Sequence, residues 1–289
     1  MTESGATRVA VYLDFDNIVI SRYDQVHGRN SFHKDKAKGL EKDRLDSAIV
    51  DVGAIIDFAS SFGTLVLTRA YADWSADVNA AYHGQLVGRA VDLVQLFPAA
   101  AYGKNGADIR LAVDAVEDMF RLPDLTHAVI VGGDSDYIAL AQRCKRLGRY
   151  VVGIGVAGAS SRSLAAACDE FVTYDALPGI PTVATQAPEP KKRGQRPSSP
   201  EPDPDPDDES APTDQQAAAT GLLERALRIG QEKDDADWLH NSAVKAQMKR
   251  MDPSFSEKSL GFKSFSDFLR SRGELVDLDE TSTTRLVRL

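Results

Sequence analysis

At 289 residues, 43% of them hydrophobic, the chain has room for two domains and enough apolar material for a sizeable core. No uninterrupted apolar run approaches the roughly 18 residues a bilayer span needs, and the polar first eight residues lack the apolar region of a signal peptide, which excludes membrane and secreted classes and predicts a cytoplasmic protein. The net charge of −9 is carried by residues 1–217, while 218–289 is balanced, so charge neither excludes a nucleic-acid partner nor argues for one.

The first predicted element is a buried strand, Val9-Ala10-Val11-Tyr12-Leu13, closed by Asp14. A polar segment, 21–44, separates it from a helical pattern with Leu45, Ile49, Val52, Ile55, Ile56 and Ala59 at three- and four-residue spacing. Gly63 ends that pattern, and 64–68 reads as the second strand. A helix over about 78–89 leads to a third strand, 91–96. The next helix opens at Asp108 and runs to Phe120, burying Leu111, Ala112, Ala115, Val116 and Met119 and turning Asp114, Glu117 and Asp118 to water. Residues 127–131 form the fourth strand, and 137–147 a helix stopped by Gly148. Segments 150–156, 160–167 and 170–174 complete a strand, a helix and a strand. Cys144 and Cys168 fall in helix-like segments among alanines, expected as buried, reduced thiols without zinc spacing. The alternation predicts an α/β fold whose mainly parallel sheet is covered on both faces.

Ten of the thirteen prolines lie in 178–212 with an acidic Pro-Asp repeat, so little there can be buried. The boundaries read as a first domain at 1–177, a disordered tether at 178–217 and a small second domain at 218–289. In the last, Leu222, Leu223, Ala226 and Leu227 mark a helix, Trp238, Leu239 and Val244 start another, and Phe255, Phe262, Phe265 and Phe268 precede two β-like stretches. Three short helices with a β-wing fit a winged helix-turn-helix.

Four aspartates sit where an apolar run or its linking turn gives way to a helical pattern: Asp14, Asp108, Asp134 and Asp136. In an open parallel sheet the carboxyl ends of the strands border one crevice at the topological reversal, where such acids converge. Carboxylates that close raise one another's pKa unless a cation neutralises them. A hard divalent ion, Mg²⁺ or Mn²⁺, is the simplest resolution, and it predicts metal-assisted phosphodiester chemistry. Asp14 and Asp134 are then the direct ligands, with Asp108 and Asp136 holding the metal or its water. A charge ending a buried strand needs a partner, which makes Asp14 the strongest candidate. Asp16 either shares its direction or bends away, and Asn17 either caps the turn or fixes a carboxylate rotamer. Ordinary capping by Asp134 or Ser135 competes with ligation, although two acids after a double glycine weigh against capping alone, and Asp108 in a first turn has the same ambiguity. Asn17, Lys104, Ser135 and Ser160 are candidate substrate contacts, as are the basic residues Arg29, Lys34, Lys36 and Lys38 of the polar segment.

The ordered set Tyr12-Leu13-Asp14-Phe15-Asp16-Asn17, Lys104-Asn105-Gly106-Ala107-Asp108 and Gly133-Asp134-Ser135-Asp136-Tyr137 resembles the NYN domain, LabA-like branch, of the PIN-like nucleases over about 8–177. The resemblance implies a metal-dependent ribonuclease with a PIN-like α/β/α sandwich, acting on RNA, single-stranded by expectation. Its acidic positions fall on Asp14, Asp108, Asp134 and Asp136. The polar insertion at 21–44 departs from the family pattern and bears on substrate access. The C-terminal stretch is similar to the OST-HTH/LOTUS module on Trp238-Leu239, Met251-Asp252-Pro253-Ser254-Phe255 and Leu260-Gly261-Phe262-Lys263-Ser264-Phe265-Ser266-Asp267-Phe268-Leu269. That implies RNA binding or protein docking. Its aromatics read as core, leaving Lys263, Arg270 and Arg272 as candidates for phosphate contact.

Three other readings remain open. Asp14-Phe15-Asp16 also resembles haloacid-dehalogenase-type phosphatases, although Asn17 replaces the usual threonine or valine and no cap domain is evident. Gly153-Ile154-Gly155-Val156-Ala157-Gly158 formally matches a dinucleotide fingerprint, but with no βαβ unit after it reads as a tight turn before a helix. The third is a non-catalytic RNA-binding scaffold on a nuclease fold.

Overall fold

The computed structural model of the protein describes residues 6–96, 106–181, 212–234, 236–279 and 285–289. Its main sheet has six strands: β1 (Arg8–Asp14), β2 (Thr64–Ala72), β3 (Asp92–Gln95), β4 (His127–Val131), β5 (Tyr150–Gly155) and β6 (Glu170–Thr173). Their order is β3-β2-β1-β4-β5-β6, with every neighbouring pair parallel. Helices α1 (Phe15–His27), α2 (Ser31–Lys36), α3 (Lys42–Ser47) and α4 (Val52–Ser60) lie between β1 and β2, and α5 (Asp77–Ala80) and α6 (His83–Gly88) between β2 and β3. Helix α7 (Gly106–Arg121) precedes β4, α8 (Ile138–Arg146) precedes β5 and α9 (Arg162–Ala167) precedes β6.

The chain builds outward from β1 to β3, then returns to lay β4 on the other side of β1. Parallel crossovers are right-handed, so the reversal of direction moves the helices from one face to the other. Side-chain alternation along β1 records this. Val9, Val11 and Leu13 share a core with Ile55 and Leu86, while Ala10 and Tyr12 share the opposite one with Leu111 and Leu140. A central strand covered on both faces has no polar side to keep, which is why β1 reads as one apolar run. The reversal lies between β1 and β4, so Asp14 and Gly132-Gly133 leave their strands side by side at one rim.

Four expectations for the first domain need correction. The segment 21–44 is not a polar loop: α1 continues to His27, and α2 and α3 gather around Tyr23, Phe32 and Ala48. Its polar residues are tied together, the Tyr23 hydroxyl donating to Asp35 at 2.9 Å and accepting from Arg44 at 3.0 Å. The periodic run from Leu45 to Ala59 is not one helix, because Asp51 caps a fresh start by accepting from the Ala54 N–H at 3.1 Å. The helix expected over 78–89 is likewise two short helices, α5 and α6. On α7, Asp114 and Asp118 do not face water. Asp118 is 5% exposed, accepts from the Tyr12 hydroxyl at 3.2 Å and pairs with Arg69 at 2.5 Å. Asp114 accepts from the Tyr71 hydroxyl at 3.1 Å and pairs with Arg110 at 2.9 Å. Strands β1 and β2 present phenols to α7, so its acids turn inward to meet them.

Cys144 and Cys168 are buried and unpaired, and burial pushes both thiols up to about 12, which keeps them from thiolate chemistry. Gly153 and Gly155 lie in β5 and serve packing: a methyl group at Gly153 would sit 2.5 Å from the Phe171 ring and 2.9 Å from the Cys168 sulfur. Gly153→Ala is expected to destabilise the protein by about 1–3 kcal/mol, as overpacked cores do. Urea unfolding measures it; an unchanged midpoint would mean that Phe171 moves aside freely. Gly148, at φ +77°, takes the left-handed conformation that ends α8. Among the described residues no helix is long and apolar enough to cross a membrane.

The C-terminal unit combines α10 (Pro212–Asp234), α11 (Asn241–Met251) and α12 (Phe265–Arg270) with an antiparallel sheet ordered β7 (Leu239–His240), β9 (Leu286–Arg288), β8 (Asp277–Asp279). Leu223, Leu227, Met248, Phe268 and Val287 centre its core, so the aromatic run is structural as expected. Trp238-Leu239 leads into a strand instead of opening a helix, and Arg288 lies over the Trp238 ring at 4.6 Å. The unit seats on the outer edge of the main sheet. The Phe171 N–H donates to the Pro253 carbonyl at 3.3 Å, and Lys249 pairs with Glu170 at 2.8 Å. The Phe171 N–H of this edge strand is thereby occupied, which blunts the edge as a pairing template.

Candidate metal centre

Three segments distant in sequence deliver one carboxylate each to the rim at the β1–β4 reversal. Asp14 is the last residue of β1 and the N-cap of α1; Asp108 lies in the first turn of α7; Asp134 follows the glycine pair after β4. Each offers an oxygen, and the three lie within 4.8 Å of one another. Two oxygens on one divalent ion, at about 2.0–2.6 Å each, stand at most ~5 Å apart, so this spacing fits a single hard cation. Asp136 lies outside that trio, although its charge acts on Asp134.

The electrostatics fit as well. Burial pushes the Asp14 carboxyl up to about 7, the charges of Asp108 and Asp16 adding to it, against the opposing hydrogen bonds from Tyr137 and the Asn17 N–H. Asp134 is raised too, by burial first and then by Asp108 and Asp136. Carboxylates under this pressure are relieved either by a proton or by a cation.

Two residues hold the trio in shape. The side-chain amide of Asn17 donates to Asp134 at 2.9 Å and accepts from the Gly133 N–H at 3.0 Å, while its backbone N–H donates to Asp14 at 3.2 Å. Tyr137, fully buried, donates its hydroxyl to Asp14 at 2.8 Å, and Asp108 is near enough for its charge to act on the phenol. Burial, followed by the charges of Asp14 and Asp108, raises the phenol, so it remains a donor. Gly132 makes room for this, since a methyl group there would lie 3.0 Å from the Tyr137 ring and 3.4 Å from the Asp14 Cβ. Sequence reasoning missed Tyr137: it stood in the motif directly after Asp136, but an aromatic opening a helix reads as core.

The remaining candidates are dispersed. Asp16 bends away, one oxygen accepting from Asn79 at 2.6 Å and the other from the Asp73 N–H at 3.3 Å, so it anchors the loop after β2. Both its oxygens accept hydrogen bonds there, although its charge still acts on Asp14. No sequence signal pointed to Asn79. Ser135 is exposed in the turn after Asp134. Ser160 donates to the Val156 carbonyl at 2.8 Å, closing the turn before α9, while Ser161 caps that helix. Lys104 lies outside the described residues. Lys263 is exposed on the C-terminal unit, Arg270 pairs with Asp267, and Arg272 lies over the Phe262 and Phe268 rings. The basic residues Arg29, Lys34, Lys36 and Lys38 are exposed around α2.

Comparison with known proteins gives two family matches: NYN domain over residues 8–175 and OST-HTH/LOTUS domain over 214–288. No curated protein matches the chain. Among solved structures, a crystal structure of VPA0982, a Vibrio parahaemolyticus protein of unknown function, is 21% identical, covering 60% of this chain and 96% of its own at a TM-score of 0.44.

Proposed function

This chain belongs to the NYN domain family, and on that premise we propose that it is a ribonuclease dependent on Mg²⁺ or Mn²⁺, cleaving phosphodiester bonds of unpaired RNA at Asp14, Asp108 and Asp134. The observation that carries the reading is the trio itself: three carboxylate oxygens within 4.8 Å, one of them buried, at the one rim where the sheet reverses. A bound divalent cation supplies Lewis acidity and charge neutralisation at the scissile phosphate. The chain's own residues do the positioning. Asp14 and Asp134 hold the cation directly, and Asp108 closes the third side, with Asp136 adding negative charge behind Asp134. Asn17 locks Asp134 to the β4 exit, and Tyr137 fixes the Asp14 carboxylate. The C-terminal OST-HTH/LOTUS domain grips the RNA. We assign the catalytic unit to 1–177 and the RNA-gripping unit to 218–289, the latter entered by α10 from Pro212, inside the 178–217 stretch expected as linker.

Protein stripped with a chelator and given labelled single-stranded RNA is expected to cut it only after Mn²⁺ or Mg²⁺ is returned. Cleavage that persists in chelator overturns the metal requirement. Intact RNA alongside phosphate release from small phosphomonoesters would instead favour a phosphatase. Asn17→Ala is expected to weaken Mn²⁺ binding about 10–100-fold, as loss of a ligand-orienting partner does. Calorimetric titration reads this directly, and unchanged affinity would mean that Asp134 needs no anchor.

A further inference from the structure

Residues 28–42 form a strongly positive stretch in a chain of net charge −9: Arg29, Lys34, Lys36, Lys38 and Lys42 stand against Asp35 and Glu41. All five cations are exposed, and among the described residues none is ion-paired. Asp35 does not neutralise them, because it is taken by Arg44 at 3.0 Å and by the Tyr23 hydroxyl at 2.9 Å. The stretch ends at Lys42, since α3 continues with Asp43 and Asp46. Packing sets it beside the carboxylate trio. Asp24 of α1 accepts from the Asn30 and Phe32 N–H groups, both at 2.8 Å, which fixes the start of α2. Phe32 then joins Tyr23 and Ala48 in a small core against which Val78 of α5 packs. The residue after Val78 is Asn79, which donates at 2.6 Å to Asp16, two residues from Asp14. From the same side the Lys36 charge reaches Asp73, whose N–H also meets Asp16.

We propose that α2 and the turns flanking it are a docking surface for the phosphate backbone of the RNA that enters the metal centre, with Lys34, Lys36 and Lys38 as its contacts. That the polyanion is RNA rests on the ribonuclease reading. A centre built from aspartates repels a polyanion at long range, and exposed lysines beside it offset that repulsion and steer the strand inward. Lysine ammonium groups act on phosphate as point charges, so the surface holds and orients RNA without reading its bases. An acidic protein would match the charge alone, but the surface adjoins the three carboxylates that would take a phosphodiester. The insertion thereby acquires a role: it carries cations to the rim on a scaffold tied to α1 and α5.

Fluorescence anisotropy of the full chain with a labelled single-stranded oligonucleotide, in chelator and from about 50 to 500 mM salt, tests this. Single-strand binding loses about 0.7 of a decade in affinity per decade of salt for each phosphate neutralised. The triple variant Lys34→Gln, Lys36→Gln, Lys38→Gln is expected to bind more weakly, with a deficit that shrinks about a hundredfold over that tenfold range of salt. The pair Arg143→Gln, Arg146→Gln removes exposed charges from α8, on the opposite face of the sheet, and should keep the wild-type salt dependence. Because all five side chains are exposed, far-ultraviolet circular dichroism should match the wild type. A triple variant with the wild-type salt dependence overturns the proposal. So does an α8 variant that loses as much per charge, since net charge alone would then explain the effect, and so does a wild type that binds no RNA at 50 mM. A protein that shows the expected salt dependence yet cuts no RNA once Mn²⁺ is returned fails the nuclease reading alone.

Discussion

Asp14→Asn is expected to lower Mn²⁺-dependent RNA cleavage by well over about a hundredfold, because loss of a direct ligand must exceed the 10–100-fold effect of losing a partner behind it. The same change should raise the stability of the metal-free protein. Asp14 has its folded pKa pushed by burial to about 7, above the ordinary value of 3.8. Between those values the folded state holds the proton more tightly than the unfolded chain. The stability this contributes is therefore complete below pH 4 and is lost as pH rises through 7, a difference of a few kcal/mol. Asparagine never ionises, so the variant escapes that loss. Its amide keeps the local bonds, since the Tyr137 hydroxyl can turn to accept where it formerly donated. Urea unfolding in chelator at pH 4.5 and 8 should show the wild type losing stability over that interval relative to the variant. Saturating Mn²⁺ at a hundred times its Kd should then return about 2.7 kcal/mol to the wild type and little to Asp14→Asn. Equal cleavage by both proteins would remove Asp14 from the chemistry, and parallel pH curves would remove the buried charge.

The order of the β–α units and the rim acids were legible because each leaves a local mark. A strand covered on both faces is an apolar run, and an acid at its end contradicts that run, as Asp14 does after Leu13. The glycine pair before Asp134 marks close approach, here of Tyr137 and Asp14 to Gly132. What periodicity could not reveal were side chains whose partners come from elsewhere in the chain. Asp16 and Asn79 are 63 residues apart and meet only because β1 and β2 end at the same rim. The insertion looked polar because its fixed points are Tyr23, Asp35 and Arg44, a hydrogen-bonded set in place of an apolar stripe. The helix of α3 and α4 looked continuous because a cap by Asp51 leaves the apolar spacing on either side intact.

Asp118 shows the same limit with the largest effect on stability. Read along α7 it belongs to a charged face, yet it is 5% exposed and accepts from the buried Tyr12 hydroxyl while pairing with Arg69. Tyr12 is held well above the ordinary phenol range by burial and then by the Asp118 charge, so its hydroxyl is a donor that must find an acceptor. Removing the carboxylate strands that donor and leaves the Arg69 guanidinium, whose side chain is 23% exposed, partly buried without its counter-charge. Breaking a buried pair from one side costs about 3–5 kcal/mol. The residual exposure of Arg69 places Asp118→Ala near the lower end, about 3 kcal/mol. Asp118→Asn keeps an acceptor and should lose roughly half as much. Asp114→Ala should lose less, about 1–2 kcal/mol: it too strands a buried phenol, that of Tyr71, but its ionic partner Arg110 is 58% exposed at the side chain and remains hydrated. Tyr12 lies two residues before Asp14, about 7 Å from the rim, so Mn²⁺ affinity should survive all three substitutions. Urea midpoints with an unchanged m-value measure the series. An Asp118→Ala loss below that of Asp114→Ala would show that water reaches Arg69 and Tyr12, and that α7 is held to the sheet by its apolar face alone.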